Sequence, residues 1–253
     1  MSEIVVFGAG GRAGRAAVAE ALRRGHRVTA VVRDPARHGD LAKHGDLAKH
    51  GDLAKHGGPV KRGDLAEYGG PVKQRDVAQY GGPAAGGVRV VAGDVTDAGS
   101  VARLAEGHDA AINAAADLGA EPRVFFTGAA RALLDGLARA GTGRLVAVGL
   151  ASVLETESGR LLMDTPGYPQ EYRAFYLGHA AGTDVLRSAG GGLDWVVLSP
   201  AGDFDHGGGR TGGYRTAAAR ADSRISYADF AIALLDEIDA PRHHRVHLGV
   251  EEG

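Results

Sequence analysis

The chain has 253 residues, 44% of them apolar, which suits one α/β domain with a real hydrophobic core. Twenty-nine basic against 31 acidic side chains leave a formal charge of −2, which argues against nucleic acid or an anionic membrane as partner. There is no cysteine, so disulfides and thiolate chemistry are excluded, and no apolar run reaches the roughly 20 residues of a membrane span.

The opening MSEIVVFGAG reads as a strand, without the basic region and long apolar core of a signal peptide, so a cytoplasmic protein is expected. Residues 4–7 form that strand, and a glycine cluster follows. A helix is expected over 12–24, rich in alanine and closed by Gly25. Further apolar runs at 28–32, 88–92, 110–114, 145–148, 195–198 and 246–250 read as strands. Helices are expected near 97–106, 123–140, 170–189 and 226–239. Strands alternating with helices in this way predict a Rossmann-type, doubly wound parallel sheet. The expectation is a single domain over 1–253 with a small C-terminal substrate-binding part.

One stretch breaks the rhythm. From 38 to 85 the chain repeats every six residues, beginning with three identical HGDLAK units. A leucine every sixth residue does not stay on one helix face, and Gly-Asp and Gly-Gly-Pro break helices. The stretch reads as a tandem insertion in the surface connection between the second and third strands. His38, His44, His50 and His56 recur within it, but not at the ligand spacing of a known zinc site, so no metal is expected.

The strongest motif is FGAGGRAG at 7–14, placed after the first strand and opening the first helix. Gly8, Gly11 and Gly14 fit GxxGxxG, while Gly8, Gly10 and Ala13 fit GxGxxG/A. Such glycines allow a tight turn, close approach of a pyrophosphate to the backbone, and close helix–sheet packing. The helix dipole and its free N–H groups then favour the phosphates. This context points to a nicotinamide dinucleotide. At the end of the second strand, Arg33 stands where an NAD site usually places an acid, and Arg12 lies in the glycine loop. Two guanidiniums suit a 2′-phosphate, so NADP(H) is the expected preference; Asp34 keeps NAD(H) open. Asp94 and Val95 are placed for the adenine, although Asp94 also reads as a helix N-terminal turn residue. Ala114 and Ala115 let the backbone pass the cofactor closely. Gly149, Pro200 and Ala201 complete the expected cofactor contacts.

Taken together, these motifs resemble the atypical branch of the short-chain dehydrogenase/reductase superfamily. LLMDTPGYPQEYRAFYLGHA (161–180), LDWVVLSPAGDF (193–204), GRTGGYR (209–215) and SRISYADFAIALLDEI (223–238) look like the NADH-flavin reductase family. That family is related to biliverdin reductase B and to nitrogen-metabolite-repressor-like proteins. The resemblance covers nearly the whole chain apart from the repeats. It implies a dinucleotide-dependent oxidoreductase, but one that departs from mainstream members. Their Tyr-x-x-x-Lys pair is missing: no tyrosine has a lysine four residues on, and no lysine follows Lys73. The serine position after the fifth strand is Leu150, with Ser152 two residues later.

His179 matches a histidine in the biliverdin-reductase-B-like pattern. It reads either as a proton donor titrating near neutral pH or as a polar helix residue. Tyr176 and Ser152 are the other catalytic candidates, with packing and substrate-wall roles open to both. The expected reaction is hydride transfer from NADPH to a flat acceptor such as a flavin, quinone or aromatic ketone. Such a transfer depends on positioning more than on a strong protein acid. The acceptor would lie against loops 150–176 and 200–216, the second a mobile glycine-rich cover. A non-catalytic NADP(H) sensor and a cofactor-retaining isomerase or epimerase remain alternatives. A monomer or homodimer is expected.

Overall fold

The computed structural model describes residues 1–41 and 87–253. Strand β1 (Glu3–Phe7) leads into helix α1 (Arg12–Arg23), β2 (Arg27–Val32) and a 3-10 turn over Pro35–His38. Next come β3 (Val88–Ala92), α2 (Ala98–Ala105), β4 (Ala110–Asn113), α3 (Pro122–Ala140), β5 (Arg144–Val148), α4 (Arg173–Ser188) and β6 (Asp194–Pro200). The chain closes with β7 (Asp203–Asp205), β8 (Tyr214–Ala217), β9 (Arg224–Ser226), α5 (Tyr227–Asp239) and β10 (Val246–Glu252).

Eight strands form one sheet in the order β3-β2-β1-β4-β5-β6-β10-β8. All neighbours run parallel except β8, which is antiparallel to β10. Strands β7 and β9 pair separately. The sheet is covered on both faces, which is why its strands read as unbroken apolar runs. On one face Ile4, Val6, Ile112 and Val196 pack with Ala17, Val18 and Ala21 of α1 and Phe230 and Leu234 of α5. On the other, Val5, Phe7, Leu145 and Val197 meet Val101 of α2, Leu133 and Leu137 of α3, and Leu186 of α4. This is the expected doubly wound sheet, and the strand order reverses at β1 and β4. In such sheets that switch point is where a dinucleotide binds.

Local chemistry sets the helix ends. Glu121 caps α3 by accepting from the Arg123 and Val124 amides at 3.1 and 2.7 Å, Pro122 opens the helix, and Gly141 closes it at φ 74°. Strands β7, β8 and β9 were not legible, being three or four residues long and polar. The loop expected as a cover carries hydrogen bonds to the body of the fold. The buried Asp229 carboxylate accepts from the Thr211 amide at 2.9 Å, the Gly212 amide at 2.8 Å and the Thr211 hydroxyl at 3.0 Å. Arg210 from the same loop reaches Glu20 at 3.3 Å. Burial opposes the charge on Glu20, but Arg23, Arg24 and Arg210 outweigh it and hold the carboxyl down at about 2.

From residue 42 onward, the expected insertion over 38–85, with His44, His50 and His56, lies outside the described residues. Residues 38–41, which open it, belong to the body of the fold. Leu41 is fully buried in the core, Asp40 pairs with Arg15 at 2.5 Å, and the His38 ring lies over Gly10.

A buried cation ties the bottom of the sheet together. Arg144 donates to Glu237 Oε2 at 2.8 Å, to Asp194 Oδ2 at 2.8 Å, and to the Glu237 and His243 carbonyls at 3.0 and 3.1 Å. Removing one partner of such a pair strands a buried charge. Arg144→Met is therefore expected to lower unfolding stability by about 3–5 kcal/mol in urea titration. Arg144→Met combined with Glu237→Leu should recover much of that loss; a single variant as stable as the parent would contradict the assignment.

Candidate dinucleotide site

The site begins where β1 ends. All of Ile4 to Phe7 is fully buried, flanked by β2 and β4 in register Phe7↔Val31 and Phe7↔Asn113. The chain then turns at Gly8, whose φ of 75° favours glycine. A Cβ there would lie 2.5 Å from the Ala114 carbonyl carbon and the Ala115 Cα. One at Gly14 would lie 2.2 Å from the Gly8 carbonyl oxygen. These two glycines let α1 and the segment after β4 close on the turn.

Gly11 is the N-cap of α1 and has no side chain to cap it. Its own amide donates to the Gly8 carbonyl at 3.1 Å, and the Arg15 amide returns to Gly11 at 2.8 Å. The amides of Arg12, Ala13 and Gly14 have no acceptor among the described residues. Space beside Gly11 is open, with only the Gly8 oxygen at 3.5 Å from a hypothetical Cβ. A bare helix N-terminus behind a side-chain-free turn fits the pyrophosphate of a dinucleotide.

The two expected phosphate-binding arginines point to different places. Arg33 follows β2 and donates to Asp117 Oδ2 at 2.5 Å. Arg12 reaches the C-terminal part, 2.7 Å from His206 Nδ1, which is also 3.3 Å from the Tyr227 hydroxyl. Asp34 caps the following 3-10 turn through the Ala36 amide at 3.1 Å. Asp94 accepts from the Thr96 amide and hydroxyl at 2.8 and 2.7 Å, while Val95 is buried in the core. Ala114 and Ala115 line the Gly8 turn, steadied by the Asn113 side chain, which accepts from the Ala115 amide at 3.2 Å. Gly149 donates to the Leu198 carbonyl at 2.7 Å; Pro200 is buried at the end of β6, and Ala201 bonds Val250 at 2.7 Å.

Of the three catalytic candidates, Ser152 lies on a short turn over Ala151–Val153, 2% exposed, and its hydroxyl has no partner among the described residues. Tyr176 and His179 are on α4. Tyr176 packs edge-on to Tyr168 at 5.6 Å and lies 6.5 Å from Tyr172, and burial pushes its phenol up. Tyr168 is pushed up to about 12 by burial and by Tyr176. The three tyrosines form an aromatic wall, and the raised Tyr168 and Tyr176 phenols stay protonated near neutrality. His179 is pressed against Phe126 at 3.7 Å and lines a small, half-open cavity of about 40 Å³ with Asn113, Ala147 and Thr183. Burial, helped by His247, pushes it down to about 3. That lies below the near-neutral titration expected of His179, because desolvation disfavours the charged form of an imidazole.

Some neighbours of the site escaped the sequence reading. Ser199 on β6 is fully buried, with its hydroxyl 2.7 Å from His247 Nε2 on β10. Both fill the space that a Gly149 side chain would occupy, at 2.5 and 2.9 Å. Burial, then Arg187, pushes His247 down to about 4. The available signal was parity: Ser199 shares a face with Trp195 and Val197, and His247 is in register with Val197. A polar residue at an inward position of a covered parallel strand is the anomaly to look for.

Residues 8–68 and 71–241 match the NAD(P)H-binding family. The uncharacterised protein YwnB of Bacillus subtilis is 32% identical over 251 residues, covering 95% of this chain and 94% of its own. Among solved structures, a proposed exported protein from Burkholderia pseudomallei is 31% identical with a TM-score of 0.71. The match covers 99% of this chain and 100% of that one. A proposed NADH-flavin reductase from Streptococcus pneumoniae is 25% identical with a TM-score of 0.69, covering 100% of both chains. No helix among the described residues is long and apolar enough to cross a membrane.

The two partly buried histidines carry a pH consequence. Their folded values lie below that of an exposed imidazole, so the unfolded chain takes up protons first as pH falls. Stability is full above about pH 6.5 and is lost as pH falls through the window toward about 4 and then 3. Between pH 6.5 and 5 the slope is at most about 1.4 kcal/mol per pH unit for each histidine. His179→Phe, which keeps an aromatic ring against Phe126, should flatten that slope in denaturant titrations. An unchanged slope would contradict the buried neutral state.

Proposed function

The chain belongs to the NAD(P)H-binding family, and on that premise we propose that it is a reductase passing hydride from NADPH to a flat acceptor such as a flavin or quinone. The observation that carries this reading is the uncapped N-terminus of α1 behind the Gly8–Gly14 turn, a cradle suited to a dinucleotide pyrophosphate. In this reading Gly10, Gly11 and the amides of Arg12, Ala13 and Gly14 hold the phosphates. Arg33, 60% exposed at the end of β2, is the cation for a 2′-phosphate. Bound NADPH supplies the hydride.

Tyr168, Tyr172 and Tyr176 form the wall against which a planar acceptor stacks. Tyr172 is largely exposed and so accessible from solvent. Neither the raised phenols nor the neutral His179 is a good acid near neutrality, so we assign the product's proton to water. That favours acceptors whose reduced forms take protons from solvent over simple carbonyls, which need an acid during hydride transfer. The Streptococcus relative's proposed NADH-flavin reductase activity is of the same class.

The test is NADPH oxidation against a panel of flavins, quinones and aromatic ketones, with cofactor affinities measured alongside. Flavins or quinones are expected to turn over fastest. Arg33→Ala should weaken NADPH by about 1.5–3 kcal/mol, roughly ten- to a hundredfold, and leave NADH nearly unchanged. NADPH binding without turnover of any acceptor would contradict the reductase and favour a cofactor-holding sensor.

A further inference from the structure

We infer that Asp117 is a selectivity residue for the cofactor: it holds Arg33 across the groove and competes with a 2′-phosphate for that guanidinium. The inference rests on the dinucleotide reading above. Arg33 immediately follows β2, and Asp117 lies four residues after β4. Strand β1 separates those two strands in the sheet. Parallel neighbours lie about 4.8 Å apart, so the pair reaches across about 10 Å. It does so at the carboxyl end of β1, where Phe7 pairs with Val31 on one side and Asn113 on the other and the glycine turn begins. The ion pair, Arg33 Nη1 to Asp117 Oδ2 at 2.5 Å, therefore spans the mouth of the dinucleotide groove.

The two partners are unequal. Asp117 is the fixed post: its Oδ1 accepts from the Gly119 amide at 3.0 Å, its carbonyl accepts from Ala120 at 3.4 Å, and its side chain is 22% exposed. Arg33 is the swinging arm, 60% exposed and bonded through one nitrogen among the described residues. Asp34 is not the competitor, because its carboxylate is engaged by the Ala36 amide and by Arg37. A 2′-phosphate arriving at Arg33 must displace the Asp117 carboxylate or share the guanidinium with it, and two anions at that spot repel. A cofactor with a bare 2′-hydroxyl meets neither demand and can use the carboxylate as a hydrogen-bond acceptor. Asp117 thus restrains the preference for NADPH that Arg33 creates, and leaves the groove open to NADH.

Asp117→Asn separates these effects. The amide oxygen can keep the Gly119 bond and so the turn, while the amide nitrogen, a donor only, cannot hold Arg33. Calorimetric titration of the full chain with NADPH, NADH and 2′,5′-ADP is the measurement, with thermal melting as the check on folding. Asp117→Asn should tighten NADPH and 2′,5′-ADP about three- to fivefold, the range of an exposed ion pair. NADH should be unchanged or weaker, so that the NADPH-to-NADH ratio rises. Asp117→Ser should show the same ratio change, guarding against an asparagine that rotates to offer its oxygen to Arg33. Dinucleotide binding with an unchanged or falling ratio in both variants overturns the inference and leaves the proposed function standing. Failure of the unaltered chain to bind any dinucleotide overturns both.

Discussion

The structure turns on an unmet hydrogen-bonding demand. A helix of twelve residues starts at Arg12 with no side chain to cap it, and the amides that a serine or aspartate would ordinarily satisfy face an open turn of glycines. The sheet makes this possible. Strand β1 is fully buried between β2 and β4, so the turn after it is held from both sides, and Gly8 and Gly14 let the neighbouring backbones approach closely. A side chain at either position would push α1 off the turn that it serves. The N-terminal half of the fold is thus arranged to present donors to an anion.

The C-terminal half completes the other side of the groove with less freedom than its glycine content suggests. Asp229 fastens the 207–213 segment through the Thr211 and Gly212 amides, and Arg210 joins the Glu20 cluster on α1. His206, just before that segment, meets Arg12 in the glycine loop. The glycine turn and the C-terminal part are therefore coupled by side chains. A ligand that recruits the Arg12 guanidinium must take it from His206. On the opposite flank, Arg33 is likewise engaged, with Asp117. Both cations near the groove have local partners, so binding here is an exchange of partners, not an encounter with free charge.

Much of this was legible in the sequence, for a physical reason. A sheet covered on both faces imposes apolar runs on its strands, and the glycine spacing follows from steric limits at one turn, so both leave marks within a short window. What escaped depends on long-range contacts. Asp117 reads as one acid in a polar loop until β4 brings it opposite β2. Ser199 and His247 are 48 positions apart and meet only because β6 and β10 are neighbours in the sheet. His179 was expected as a site residue by resemblance, while the downward push on its pKa comes from burial and from His247, which no local pattern encodes. Strands β7 to β9 were missed because three or four polar residues carry no periodic signal.

If the α1 N-terminus is the anion site of a dinucleotide, its backbone amides report on it directly. Chemical-shift mapping by NMR during titration with NADPH reads each amide separately. The largest saturable shifts are expected on Gly10, Gly11, Arg12, Ala13 and Gly14, with a second group at Arg33 and Ala114. Shifts absent from the glycine turn, with NADPH bound elsewhere or not at all, would contradict it.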